Sequence, residues 1–170
     1  KRGLINIIKQ EKLRLPYMNL PVRNERTNLS AEQSRAKEEL LSLIDGDPHG
    51  ALLYGVTGSG KTSIILSLCE DVVGMGKTAI VLVPEIALTW QSVATFSARF
   101  GDRLAVIHSA LSAGERFDTY RKIRRGDCDV VLGTRSAIFA PLENLGLIVI
   151  DEEQEHTYKS ENAPRYHAPE

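Results

Sequence analysis

Gly55-Val56-Thr57-Gly58-Ser59-Gly60-Lys61-Thr62 fits the pattern G-x-x-x-x-G-K-[ST] in full. Glycines at these spacings let the backbone curl until its N–H groups point inward, at phosphate oxygens. A helix that begins at the end of such a loop adds the positive end of its dipole. Lys61 is placed to reach the terminal phosphates, and the Thr62 hydroxyl to ligate Mg²⁺. A second group of residues belongs with the first. Leu147-Ile148-Val149-Ile150 is an apolar run that delivers Asp151 and Glu152 at its end. Ligands of open α/β sheets bind outside the carboxyl ends of the strands. Asp151 can hold Mg²⁺ there through water, and Glu152 can take a proton from an attacking water. A kinase passing phosphate to a substrate hydroxyl needs no second acid to activate water, so the pair favours hydrolysis.

The elements that must position these groups can be read around them. ALLY (51–54) predicts a short strand before the loop, and SIILSLCEDVV a helix after it. TAIVLV (78–83), LAVIH (104–108), DVVLGT (129–134) and LGLIVID (145–151) predict further strands. Residues 86–100 and 112–125 suit helices. The second of these carries Arg116, Arg121, Lys122, Arg124 and Arg125 and reads as a solvated face. Strands that are apolar without alternation are buried on both faces. Alternating with helices, they predict an α/β fold, a three-layer, mostly parallel sheet with helices on both faces. Upstream, Ser30 and Gln33 spell a capping box. Ala36, Leu40, Leu43 and Ile44 follow at helical spacing, and Gly46 with Pro48 stops the helix. GLINII (3–8) predicts a short strand, and residues 15–28, with two prolines and no period, a linker.

The chain has 170 residues, enough for one domain of ordinary size. Its 21 Lys+Arg against 22 Asp+Glu give a net charge of −1, which excludes a bulk polycation but not a local basic patch. Residues 1–26 hold seven basic groups against Glu11 and Glu25, a net of +5, and residues 151–170 a net of −4. The basic start reads either as a phosphate contact or as a solvated flank. No apolar run approaches the ~18 residues of a membrane span, and nothing reads as a secretion signal. A cytoplasmic protein with no membrane partner is the expectation. Cys69 and Cys128 stand far apart without a CxxC, which excludes a disulfide framework or zinc cluster built within this chain.

LVPEIALT (82–89), HSALSAGER (108–116), GTRSAIFAP (133–141) and IDEEQ (150–154) follow GVTGSGKT in that order. Carrying these segments, residues 29–170 resemble the first helicase lobe of the PriA family, bacterial superfamily 2 DNA helicases that restart replication. The resemblance implies a RecA-like P-loop NTPase lobe over 29–170 and the end of a preceding DNA-binding region over 1–28. It implies an ATP-dependent helicase moving 3′ to 5′, with single-stranded and forked DNA as substrate. ATP and Mg²⁺ are the implied cofactors, with zinc only outside this chain. The implied partners are a second helicase lobe, single-strand-binding proteins and other primosome proteins.

The resemblance also assigns residues. Gln33 matches a glutamine that reads adenine, although the capping box explains it without a ligand. Thr89 ends a segment that touches single-stranded DNA. Trp90 stands where the family usually has Pro, and either packs on a helix face or stacks on a base. Thr134, Arg135 and Ser136 match the next DNA-facing box, with Arg135 either on phosphate or bracing its loop. Residues 154–167 resemble an aromatic-rich loop in which Tyr158, Lys159, Arg165 and Tyr166 meet DNA; a plain surface loop is the alternative. The family's fourth acidic-box residue is usually His, and here it is Gln154. Its catalytic arginine comes from the second lobe, so these 170 residues alone are predicted to be a slow ATPase and no helicase. Two other classes stay open on the residues themselves: a P-loop kinase or transferase, and a module that holds nucleotide or DNA without turnover.

Overall fold

The computed structural model describes residues 13–14, 28–44, 46–47, 49–160 and 165–170. Its sheet has four strands: β1 (Thr78–Leu82), β2 (Leu104–Ile107), β3 (Val130–Gly133) and β4 (Leu145–Ile150). They lie in the order β2-β3-β1-β4, and every pairing is parallel. Among the described residues four α-helices accompany them: α1 (Ala31–Leu41), α2 (Lys61–Gly74), α3 (Trp90–Phe100) and α4 (Ala113–Arg124).

The pleat of β1 divides the core in two, because successive side chains point to opposite faces. Ala79, Val81 and Val83 pack with Ile65, Leu66 and Cys69 of α2 and with Val93 and Phe96 of α3. Ile80 and Leu82 point the other way, to Ile123 of α4, Ala137, Tyr158 and Ala168. Both faces are therefore covered, as strands without alternation require. Helix α1 buries none of its residues and lies on α2 instead of on the sheet, joined to it by an ion pair of 2.9 Å between Lys37 and Asp71. Both cysteines are free and buried, and burial pushes each thiol up to about 12.

Three expectations are corrected. Residues 51–54 form no strand: Leu52 is 73% and Tyr54 89% exposed. A run of apolar residues becomes a strand only where it shares hydrogen bonds with an edge, and residues 51–54 pair with none of the four strands. Helix α3 begins at Trp90, not at 86. Its N-cap Thr89 accepts from the Ser92 N–H at 3.2 Å, and Pro84 to Leu88 make a turn closed by the Leu88 N–H on the Pro84 carbonyl. Helix α4 is not a solvated rod, since Asp118, Thr119, Lys122 and Ile123 are buried. The Lys122 ammonium donates to the Leu104 carbonyl at 2.8 Å, and burial lowers its pKa. A long aliphatic stem makes that placement possible. The strand read at 3–8, the linker at 15–27 and the stop signal Pro48 lie outside the described residues.

Candidate nucleotide and nucleic-acid site

The phosphate loop runs from Gly55 to Gly60 and opens directly into α2. Gly60, the N-cap of α2, has a φ of +85°, a left-handed backbone that only glycine adopts without cost. A side chain there would also collide with the Gln33 amide. No side chain caps α2, so its first-turn amides keep the anion-binding character of a bare helix start. Lys61 Nζ donates to the Gly55 carbonyl at 2.7 Å, spanning the loop from end to start. Thr62 follows, exposed in the first turn.

Gln33 does two things. The Ser30 N–H donates to its Oε1 at 2.9 Å and its own N–H donates to Ser30 Oγ at 3.2 Å, which completes the capping box. Its Nε2 donates to the Ser59 carbonyl at 2.8 Å. One side chain thus closes α1 and ties it to the phosphate loop. The box is spelled in the sequence; the reach to Ser59 has no local signal.

The acidic pair stands at the carboxyl end of β4. The Asp151 N–H donates to the Leu82 carbonyl at 2.9 Å, so the β1–β4 ladder continues to the acid itself. Burial first, then the charge of Glu152, raises the Asp151 pKa, and the Lys61 ammonium lowers it. Glu152 has a φ of +50°, rare for a non-glycine residue and of the kind that clusters at functional sites. The Gln154 amide donates to Glu152 Oε2 at 2.7 Å and orients the carboxylate. The Glu155 N–H closes the turn on the Glu152 carbonyl at 2.9 Å.

Among the expected DNA contacts, two are corrected. Tyr158 is 1% exposed and sits in the core on the α4 side of the sheet. Its hydroxyl lies 2.5 Å from the Asp151 carbonyl and 3.2 Å from that of Leu82, so the ring fastens the loop to two strand ends and offers no face to a base. Thr134 is buried at the end of β3 and presents no hydroxyl to a phosphate. Arg135 is half-buried, and its Nη1 donates to the carbonyls of Lys159 at 2.7 Å and Thr157 at 3.3 Å, the bracing geometry. Ser136 is half-buried, Thr89 and Lys159 are exposed, and Trp90 is 63% exposed at the start of α3 rather than packed away. Tyr166 meets Phe139 edge to face with ring centroids 4.8 Å apart. Gln154, His156, Lys159, Arg165, Tyr166 and His167 line an open groove of about 840 Å³ beside the acidic turn.

The family model described as DEAD/DEAH box helicase matches residues 30–167. A replication restart protein PriA from Bacillus subtilis (strain 168) is 51% identical over 172 aligned residues, which take in 100% of this chain and 21% of the relative. Its counterpart from Synechocystis is 47% identical, over 99% of this chain and 20% of the relative. The chain thus spans about a fifth of the length of the curated relatives it matches. Among solved structures, the UvsW helicase from bacteriophage T4 superposes with a TM-score of 0.57 at 20% identity, over 84% of this chain and 49% of that one. A Sulfolobus solfataricus SWI2/SNF2 ATPase core in complex with dsDNA gives a TM-score of 0.54 at 20% identity, over 79% of this chain and 28% of that one. These two likenesses speak for the RecA-like fold. The family match goes against the kinase reading. The chain belongs to the DEAD/DEAH box helicase family.

Proposed function

We propose that this chain is the ATP-binding lobe of an ATP-dependent DNA helicase of replication restart, working 3′ to 5′ in the bacterial cytoplasm with a second lobe and other primosome proteins. The observation that carries the nucleotide half is a complete glycine loop opening into an uncapped helix start, with Asp151 and Glu152 at the carboxyl end of β4 in a parallel sheet. The residues fit Mg²⁺–ATP: a hydroxyl at Thr62, a half-buried carboxylate at Asp151, and inward-curling backbone from Gly55 to Gly60. When bound, Mg²⁺–ATP supplies a γ-phosphoryl group open to attack by water. Thr62 and Asp151 would hold the cation. Lys61 trades its bond to the Gly55 carbonyl for a phosphate oxygen and neutralises charge there. Glu152, oriented by Gln154, takes the proton of the attacking water. Gln33 retains one amide N–H and one lone pair beyond its cap bonds and its bond to Ser59, enough to read an adenine edge.

For DNA, Thr89, Ser136 and Lys159 follow three strands on one edge and suit phosphate contacts, with Arg165 and Tyr166 flanking the groove. Arg135 and Tyr158 hold the loop that presents Lys159. The test uses the longer protein. Lys61→Ala should weaken nucleotide binding at least about tenfold by calorimetry. Glu152→Gln should keep binding and lose about 10²–10⁴ in turnover, the scale of a positioned base. Single-stranded DNA should stimulate the parent ATPase. Unchanged affinity in the first variant, or near-parent turnover in the second, would remove the assignment.

A further inference from the structure

Helix α4 carries two features that its own stability does not explain. Gly114 sits in its first turn, where glycine costs about 1 kcal/mol relative to alanine. Asp118, one helical turn on and on the same face, is only 4% exposed, although the helix has arginines enough to leave its acids in water. Arg14 accounts for both. Its backbone N–H and its Nε–H both donate to Asp118 Oδ2, at 3.1 and 2.8 Å, across 104 residues of sequence. A Cβ on Gly114 would lie 2.6 Å from Arg14 Nη1 and 2.8 Å from Cζ. The guanidinium lies against bare helix backbone, and a side chain at Gly114 would make it shift. Leu13 beside it is half-buried.

We propose that Gly114 and Asp118 form a socket on α4 for Arg14, and that this socket anchors the segment preceding the lobe. The occupant is this chain's own polypeptide around residue 14. Two donors from one residue, one of them backbone, converge on a single buried oxygen. They fix the direction of the chain as well as a side chain, which a loose surface ion pair does not do. The position has a mechanical meaning. The start of α4 follows the carboxyl end of β2, and β2 and β4 lie at opposite ends of the strand order. Residues 13–14 are therefore held at the β2 end of the sheet, remote from the acidic pair.

The anchor is read directly from the Arg14 amide, which is slow to exchange only while it donates to Asp118. In the longer protein, the Arg14 amide should be protected from hydrogen exchange. Asp118→Asn and Gly114→Ala should each speed its exchange about tenfold or more, the scale of a charge-assisted hydrogen bond. The bond after Arg14 should also become more sensitive to trypsin, which must draw the guanidinium into its own pocket. Gly114→Ala favours helix, so it keeps the test clear if Asp118→Asn folds poorly. A double-mutant cycle of Arg14→Ala with Asp118→Ala should be non-additive in melting temperature. Free-chain exchange at Arg14 in the parent, an exchange rate untouched by Gly114→Ala in a folded variant, or an additive cycle would each overturn the socket.

Discussion

Burial and the charge of Glu152 push the Asp151 carboxyl above the ordinary aspartate value of 3.8, while Lys61 pulls it down. The folded chain thus holds the Asp151 proton more tightly than the unfolded chain. Stability linked to that proton is complete below the unfolded value and is lost as pH rises through the folded one. At neutral pH, without a cation, the charge at Asp151 works against folding. Asp151→Asn should therefore raise the melting temperature at pH 7 in the absence of Mg²⁺. The carboxyl is only half-buried, so the rise should not exceed about 2–4 °C, the equivalent of about 1 kcal/mol at this length. The gain should shrink as pH falls towards 4, and Mg²⁺-dependent nucleotide binding should be lost. Melting curves at two pH values check the first part, and calorimetry the second. This is a residue whose cost is legible from sequence: an acid at the end of an apolar strand, next to another acid. The left-handed backbone of Glu152 and its bond from Gln154 were not legible. Both arise from how the turn closes, and no spacing rule encodes that.

Between residue and fold stands the loop that follows β4. Tyr158 and Arg135 hold it from two sides, one through the carbonyls of Asp151 and Leu82, the other through those of Thr157 and Lys159. Tyr158→Phe keeps the buried ring and removes only the hydroxyl, leaving a strand-end carbonyl to find another partner. It should cost about 1–3 kcal/mol, the scale of an orphaned buried polar group, and lower the melting temperature accordingly. Hydrogen exchange should quicken first in residues 156–160. An unchanged melt and exchange pattern would mean that the hydroxyl carries nothing. The resemblance to an aromatic-rich loop pointed Tyr158 at DNA; its partners lie 76 and 7 residues away, and only the fold brings them together. The helices were more readable. Ser30 with Gln33 forms the box that its spacing spells, and the structure adds a second box of Ser112 with Glu115. Yet the inward face of α4 escaped reading, because Lys122 and Asp118 look like surface residues until a carbonyl and an arginine are found for them.

At the scale of the whole molecule, four of the described arginines are held by partners of their own. Arg14 pairs with Asp118, Arg99 with Glu70, Arg103 with Asp129, and Arg135 with backbone carbonyls. An arginine finger is typically worth about 10³–10⁵ in phosphoryl transfer. The 170 residues by themselves should therefore release phosphate slowly from ATP, with or without single-stranded DNA, and separate no strands. Robust DNA-stimulated release would place a finger inside the chain. The order of strands carries a second consequence, for handling rather than chemistry. Among the described residues β4 hydrogen-bonds to β1 on one side only, and Leu145 and Ile148 are exposed along it. Leu52, Tyr54 and Val56 add exposed apolar surface in the segment that fails to become a strand. A bare strand edge is a template for any other chain that arrives with one. As a concentrated stock, the 170-residue polypeptide should self-associate, scatter light more with each concentration step, and do so faster on mild warming. Ile148→Lys should clear the solution, since a lysine on an edge strand repels its own copy.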